Sequence, residues 1–236
     1  IGITDTKHTI LSNAGLSAGT LDFFTVDSLQ ATYILPDRLV PGTKILAAED
    51  DTLIVSWAIE KGVILADSVT PAAARIVAFP LPGYSSYTAS ELTAGGWAFF
   101  DAAVAWLDAA PSEFVGSAAL IASNTGLTAG FDGAIFDRLV SLGYDVAVVT
   151  GSDVSGGSFT LADAEGKDLL VISESIGSGD VVPLAGAAVP ILHMEAFGWS
   201  KMGWAYSGGR SWTPQLMGDI GITDTKHTIL SNAGLS

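Results

Sequence analysis

The chain contains no cysteine. Disulfides, thiolate metal sites and cysteine nucleophiles are thereby excluded. Basic residues are scarce: 10 Lys and Arg face 25 Asp and Glu in 236 residues, a formal charge of −15. Nucleic-acid binding depends on Lys and Arg neutralising phosphates. That function class is disfavoured, and so is attachment to anionic membrane surfaces. Long apolar runs are also missing. The longest candidates are interrupted by Glu60, Asp101 or Asp108, well short of the roughly 18 residues a membrane span needs.

What the chain does have is a 49% hydrophobic fraction with 27 glycines, enough to bury a substantial core. Its acidic residues are scattered, with Glu49-Asp50-Asp51 the only triple. They read as a solvated, mutually repelling surface. Asp5, Asp22, Asp27 and Glu49–Asp51 lack the D-x-[DN]-x-[DN]-G spacing of a calcium loop. No metal site and no cofactor is expected. The chain opens on Ile1 without a signal peptide, so the expectation is a processed or excised piece of something longer.

One feature of the sequence outweighs these. IGITDTKHTILSNAGLS occupies Ile1–Ser17 and recurs letter for letter at Ile220–Ser236, a spacing of 219 positions. Solenoid repeats have periods of about 20–50 residues, whereas 219 suits a whole domain. The segment resembles no tag and patterns as strand, loop and helix. A tandem array of near-identical domains is the expectation, with artificial duplication as the alternative.

The centre reads as α/β. Ser117–Ser123, Asp145–Thr150, Lys167–Ser173 and Val189–His193 are short apolar runs expected as buried strands. Phe131–Leu142 has helical spacing and is stopped by Gly143. Strand, helix, strand and further crossovers imply a parallel sheet covered on both faces. Earlier, Asp22–Val26, Ala31–Leu35, Thr43–Ala48 and Leu53–Glu60 look like shorter strands joined by turns such as Pro41-Gly42. Arg75–Pro80 is another buried strand. A helix from about Ala94 to Ala109, capped by Ser90 or Thr93, precedes a linker at Ala109–Ser112. Residues 1–112 are expected to be the C-terminal half of one repeat and 113–236 the N-terminal half of the next.

Several stretches carry a family resemblance: FDRLVSLGYDVAVV (Phe136–Val149), ADAEGKDLLVISESIGSGDV (Ala162–Val181), VPILHMEAFGWSKMGWA (Val189–Ala205), ITDTKHTILSNAGLSAGT (Ile3–Thr20) and TASELTAGGWAFFDAAVAWL (Thr88–Leu107). Read in rotated order, the chain resembles a bacterial extracellular repeat domain of the broad flavodoxin-like group. That group includes the class I glutamine-amidotransferase-like and trehalose-utilisation-type proteins. The resemblance implies a flavodoxin-like sheet, parallel with mixed edges, flanked by helices on both faces, in a repeated module. It cannot bring the amidotransferase chemistry, because the cysteine is absent.

His193 and Glu195 end an expected central strand, where open α/β sheets bind ligands, and are candidates for an acid–base pair. A hydrogen-bonded Glu195 capping the next turn is the alternative. Ser175 and Asp180 lie in a Gly/Ser-rich loop of the kind that holds anions or simply makes a tight turn. His8 and its copy His227 read as structural. Trp199, Trp204, Tyr206 and Trp212 form the densest aromatic patch, either interface or core. Pro111 is a further interface candidate.

The resulting expectation is a structural module of an extracellular or cell-surface polymer, with neighbouring copies as partners. A glycan- or ligand-binding module is the alternative, and a cysteine-free hydrolase the third possibility.

Overall fold

A computed structural model describes residues 20–22, 33–48, 53–79, 92–108, 116–206 and 219–222. The strands follow from the apolar runs. β1 is Thr20–Asp22, β2 Lys44–Ala48, β3 Ile54–Ile59, β4 Ile76–Ala78, β5 Ser117–Ala122, β6 Asp145–Thr150, β7 Leu169–Ile172, β8 Ile191–His193 and β9 Asp219–Ile222. The longer helices are α1 (Ala94–Leu107) and α2 (Asp132–Ser141), and the short ones are α3 (Gly151–Ser155) and α4 (Leu161–Glu165).

Among the described residues the strands make one sheet in the order β1-β9-β2-β3-β4-β8-β7-β5-β6. From β4 to β6 all neighbours run parallel. From β4 to β1 all run antiparallel. The fold is therefore α/β, with a parallel half extended by an antiparallel half. β7 is buried along its whole length and β5 in all but its first residue, as expected of parallel strands covered on both faces. β6, at the edge, is only partly covered.

Helices lie on both faces. On one side α1 brings Phe99, Phe100, Val104 and Leu107, and α2 brings Ile135 and Leu139, into a core with Val77, Leu120 and Val171. On the other, Val154 of α3 and Ala164 of α4 join Trp57, Ile121, Ile172, Trp199 and Trp204. Alternation along each strand divides the two cores, Leu120 going one way and Ile121 the other. Thr93 starts α1 by accepting the Gly96 N–H at 3.0 Å. Thr150 and Thr160 start α3 and α4 through capping boxes with Asp153 and Asp163. Arg138 on α2 bonds to Asp101 on α1, fixing the two helices to each other.

The first expected strands need revision. Of Ala31–Leu35, residues 33–35 are described, and in place of a strand Ile34 makes an isolated bridge, exchanging bonds of 2.8 and 3.0 Å with Ile54. Pro36, which has no N–H to donate, then starts a 3-10 turn at Pro36–Arg38. The strand expected at Asp22–Val26 lies earlier, at Thr20–Asp22, and residues 23–26 fall outside the described ones. The Pro41-Gly42 turn is present, with Gly42 at φ +92°, a conformation that favours glycine. The linker at Ala109–Ser112 lies outside the described residues, as does the Glu49–Asp51 turn. Segments before and after that linker share one sheet through the β4–β8 pairing.

Phe100 is fully buried with its ring 5.5 Å from Phe79 and 5.6 Å from Trp97. Urea titration is expected to show a loss of about 3–5 kcal/mol for Phe100→Ala. The exposed-end change Thr93→Ala is expected to cost only about 1 kcal/mol.

Candidate functional site

The chain order fixes where a site can form. From β5 the chain passes to β6 on one side and then returns to β7 on the other. The carboxyl ends of β5 and β7 therefore flank the point where open α/β sheets leave a crevice. The loops there begin with Ser123 after β5 and Ser173-Glu174-Ser175 after β7.

Asp132 fills the space between them. It stands at the first turn of α2, is fully buried, and accepts hydrogen bonds from the Ser173 hydroxyl and, at 2.7 Å, from the Ser175 hydroxyl. Ser175 Oγ in turn accepts the Ser123 N–H at 3.1 Å. Burial pushes the Asp132 carboxyl upward, while the Ser173 and Ser175 hydroxyls and the Ser123 N–H pull it down. The network ties three elements, β5, β7 and α2, and satisfies its own polar groups. Nothing in the sequence marked Asp132, since an aspartate in a first helical turn is ordinary helix chemistry.

Glu174 sits differently. It is only 8% exposed and has no hydrogen-bond partner among the described residues. Its carboxyl is pushed up to about 8, chiefly by burial and then by the negative charges of Glu195 and Asp132. At neutral pH it is mostly protonated, a carboxylic acid able to donate a hydrogen bond. Nothing in the sequence around Glu174 marks it for a role. Burial, which decides its state, comes from strands distant in sequence.

His193 and Glu195, the candidate acid–base pair, are not hydrogen-bonded to each other. His193 is fully buried, its ring 5.2 Å from Trp204 and edge-on to it, and neither ring nitrogen has a hydrogen-bond partner. Burial lowers its pKa to about 3, so it is neutral. Gly198 is what lets the ring fit, because a Cβ there would lie 2.9 Å from His193 Cε1. Glu195 is 6% exposed, and its Oε1 accepts the Phe197 N–H at 2.9 Å, capping the 3-10 turn Ala196–Gly198. The capping alternative describes its geometry.

Ser175 belongs to the Asp132 network. Asp180 packs its carboxylate against Gly177 and Gly151, the first residue of α3. In the same loop, Ser178 accepts a bond from Lys201 at 2.7 Å. Trp199 and Trp204 are 3% and 1% exposed, so both are core side chains and offer a partner no face. They pack there because the β8 loop folds back over the sheet, setting Trp199 5.2 Å from Trp57. Tyr206 is partly exposed, its N–H bonded to the Arg38 carbonyl. Trp212, Pro111, His8 and His227 lie outside the described residues. Among the described residues no cluster of three metal-ligating side chains occurs, and no helix is long and apolar enough to cross a membrane.

Glu174 and His193 give stability opposite pH slopes. A carboxyl raised from 4.5 to about 8 makes the folded state hold the extra proton, so its contribution falls as pH rises through that window. A histidine lowered from 6.5 to about 3 loses stability as pH falls through its window. Glu174→Gln is expected to gain about 1–3 kcal/mol at pH 8 and to flatten the fall in stability between pH 4.5 and 8. Urea titrations across pH 4–9 measure this, and an unchanged slope between pH 4.5 and 8 contradicts the assignment.

No family model and no curated protein matches the chain. Among solved structures, the chain is similar to the structure of IMPa from Pseudomonas aeruginosa in complex with an O-glycopeptide. The TM-score is 0.48 and the identity 16%, over 92% of this chain and 23% of that one. The chain thus spans about a quarter of that structure's length, and the architecture stands on its own strands: an α/β protein with a mixed sheet.

Proposed function

We propose that the chain is a structural repeat module of an extracellular or cell-surface polymer, with copies of itself as partners, and that it is not an enzyme. The observation that carries this is the position of the repeated segment. Ile220–Ile222, its first three residues, form most of β9, which lies between β1 and β2. A sequence that recurs after 219 positions thus contributes a paired strand to the sheet, as a repeating unit requires and an appended tag does not.

The chemistry at the strand ends supports the same reading. The Asp132 network is closed on itself, His193 is neutral and sealed, and Glu195 caps a turn. The hydroxyls within reach of a carboxylate, those of Ser173 and Ser175, are tied up on Asp132 within that network. Copies that meet head to tail do so by heterologous contacts, which propagate when the rotation between them does not close.

A second reading, a ligand-binding module, is favoured by Glu174 alone, the unpaired acid at the strand ends. Glycan binding through the aromatic patch loses Trp199 and Trp204, both core.

Electron microscopy of the purified chain over a concentration series tests the primary reading. Filaments or head-to-tail oligomers are expected. Monodisperse single particles at every concentration contradict it.

A further inference from the structure

The β9 position raises a question of supply. Every register pair that β9 makes with β2 uses Ile222 or Gly221, against Ala47 and Ala48. Two of its three pairs with β1 use Gly221 and Ile220, against Thr20 and Leu21. All three residues have identical counterparts in Ile1, Gly2 and Ile3. The chain therefore holds two segments able to make those pairs and, among the described residues, one position to receive them.

We propose that the position between β1 and β2 is a strand acceptor, and that Ile1–Ile3 of a second copy of this chain fills it by exchange with Ile220–Ile222. The inference rests on the repeat-module reading and supplies its assembly contact. In the structure the chain's own position is taken by Ile220–Ile222, so among the described residues the matching acceptor for Ile1–Ile3 is that of another copy.

The exchange conserves pairing. Ile1–Ile3 of one copy enters, the resident Ile220–Ile222 leaves, and the register pairs of those three residues with β1 and β2 form again, while the Asp22–Asp219 pair lies outside the duplicated segment. The released strand then matches the acceptor of a third copy. β9 is suited to this because it is short, with two register pairs on its β2 side, and short strands open locally at low cost. The acceptor also needs a strand. Without β9, β2 is left as an open edge, and β1 loses the one strand it pairs with among the described residues. Strand addition of this kind takes its affinity from main-chain bonds, so the identical segment binds with identical register.

The absence of native cysteine makes a clean test. Ala47 and Ile222 are register partners, close enough across antiparallel strands for a disulfide. A chain carrying Ala47→Cys is co-refolded with one carrying Ile3→Cys, oxidised, and run on a non-reducing gel. A disulfide-linked heterodimer, growing with concentration and absent when either variant is refolded alone, is the expected result. The control Ala47→Cys/Ile222→Cys in a single chain is expected to give a cross-linked monomer.

If the control cross-links and the mixture stays monomeric, exchange is overturned. If the control itself fails while circular dichroism shows folded protein, the β9 register is wrong and the proposal falls with it. A disulfide that forms within a single Ala47→Cys/Ile3→Cys chain at high dilution, with no heterodimer in the mixture, also overturns it. Filaments without heterodimer would leave the module reading standing. Heterodimer without longer assemblies would keep exchange and remove the filament.

Discussion

The pairing of β4 with β8 is the constraint on which the structure depends. Ile76, Val77 and Ala78 lie in parallel register with Ile191, Leu192 and His193. This single junction joins the antiparallel strands to the parallel ones and brings together segments more than 100 residues apart. Non-local pairings pay their loop-closure entropy before any contact rewards it. Continuous apolar cover on both faces is what compensates, through Phe79, Phe99 and Phe100 on one side and Trp57 and Trp204 on the other.

The same junction decides the chemistry of the strand ends. With β8 held between β4 and β7, His193 is sealed beneath Trp204 and Glu195 turns back to cap its own loop. Next to them, β5 and β7 are bridged by Asp132 and its two serines. A crevice that in other α/β sheets admits a ligand is here spanned by side chains that satisfy one another. Glu174 is the exception, an acid held protonated by burial and by its negative neighbours. Its cost is tolerated because the strands around it are fixed by so much apolar contact.

Much of the fold was legible in the sequence because the central runs are apolar and sharply bounded. SAALIA, DVAVVT and LLVI needed only their turns to be read as strands, and α2 needed only its periodicity. Ala31–Leu35 misled because its pattern is that of a strand, while Pro36 turns the chain into a 3-10 helix just after the isolated Ile34–Ile54 bridge. The aromatic patch was ambiguous for a physical reason: indole rings serve core and interface equally. Only the fold-back of the β8 loop decides between them. Asp132 was invisible because its partners, Ser173 and Ser175, are 41 and 43 positions away. His193 and Glu195 were correctly placed at a strand end, but spacing alone does not say that one is buried and the other caps.

The central claim is that the repeated segment is a working strand of the sheet and not an appendage. Amide hydrogen exchange read by NMR tests it most directly, at Gly221 and at its duplicate Gly2. Gly221 pairs with Thr20 on one side and Ala48 on the other. The account predicts that at least one of these two glycine amides is protected well above its random-coil exchange rate. Free exchange at both, in a protein whose β5 and β7 amides are protected, would contradict it.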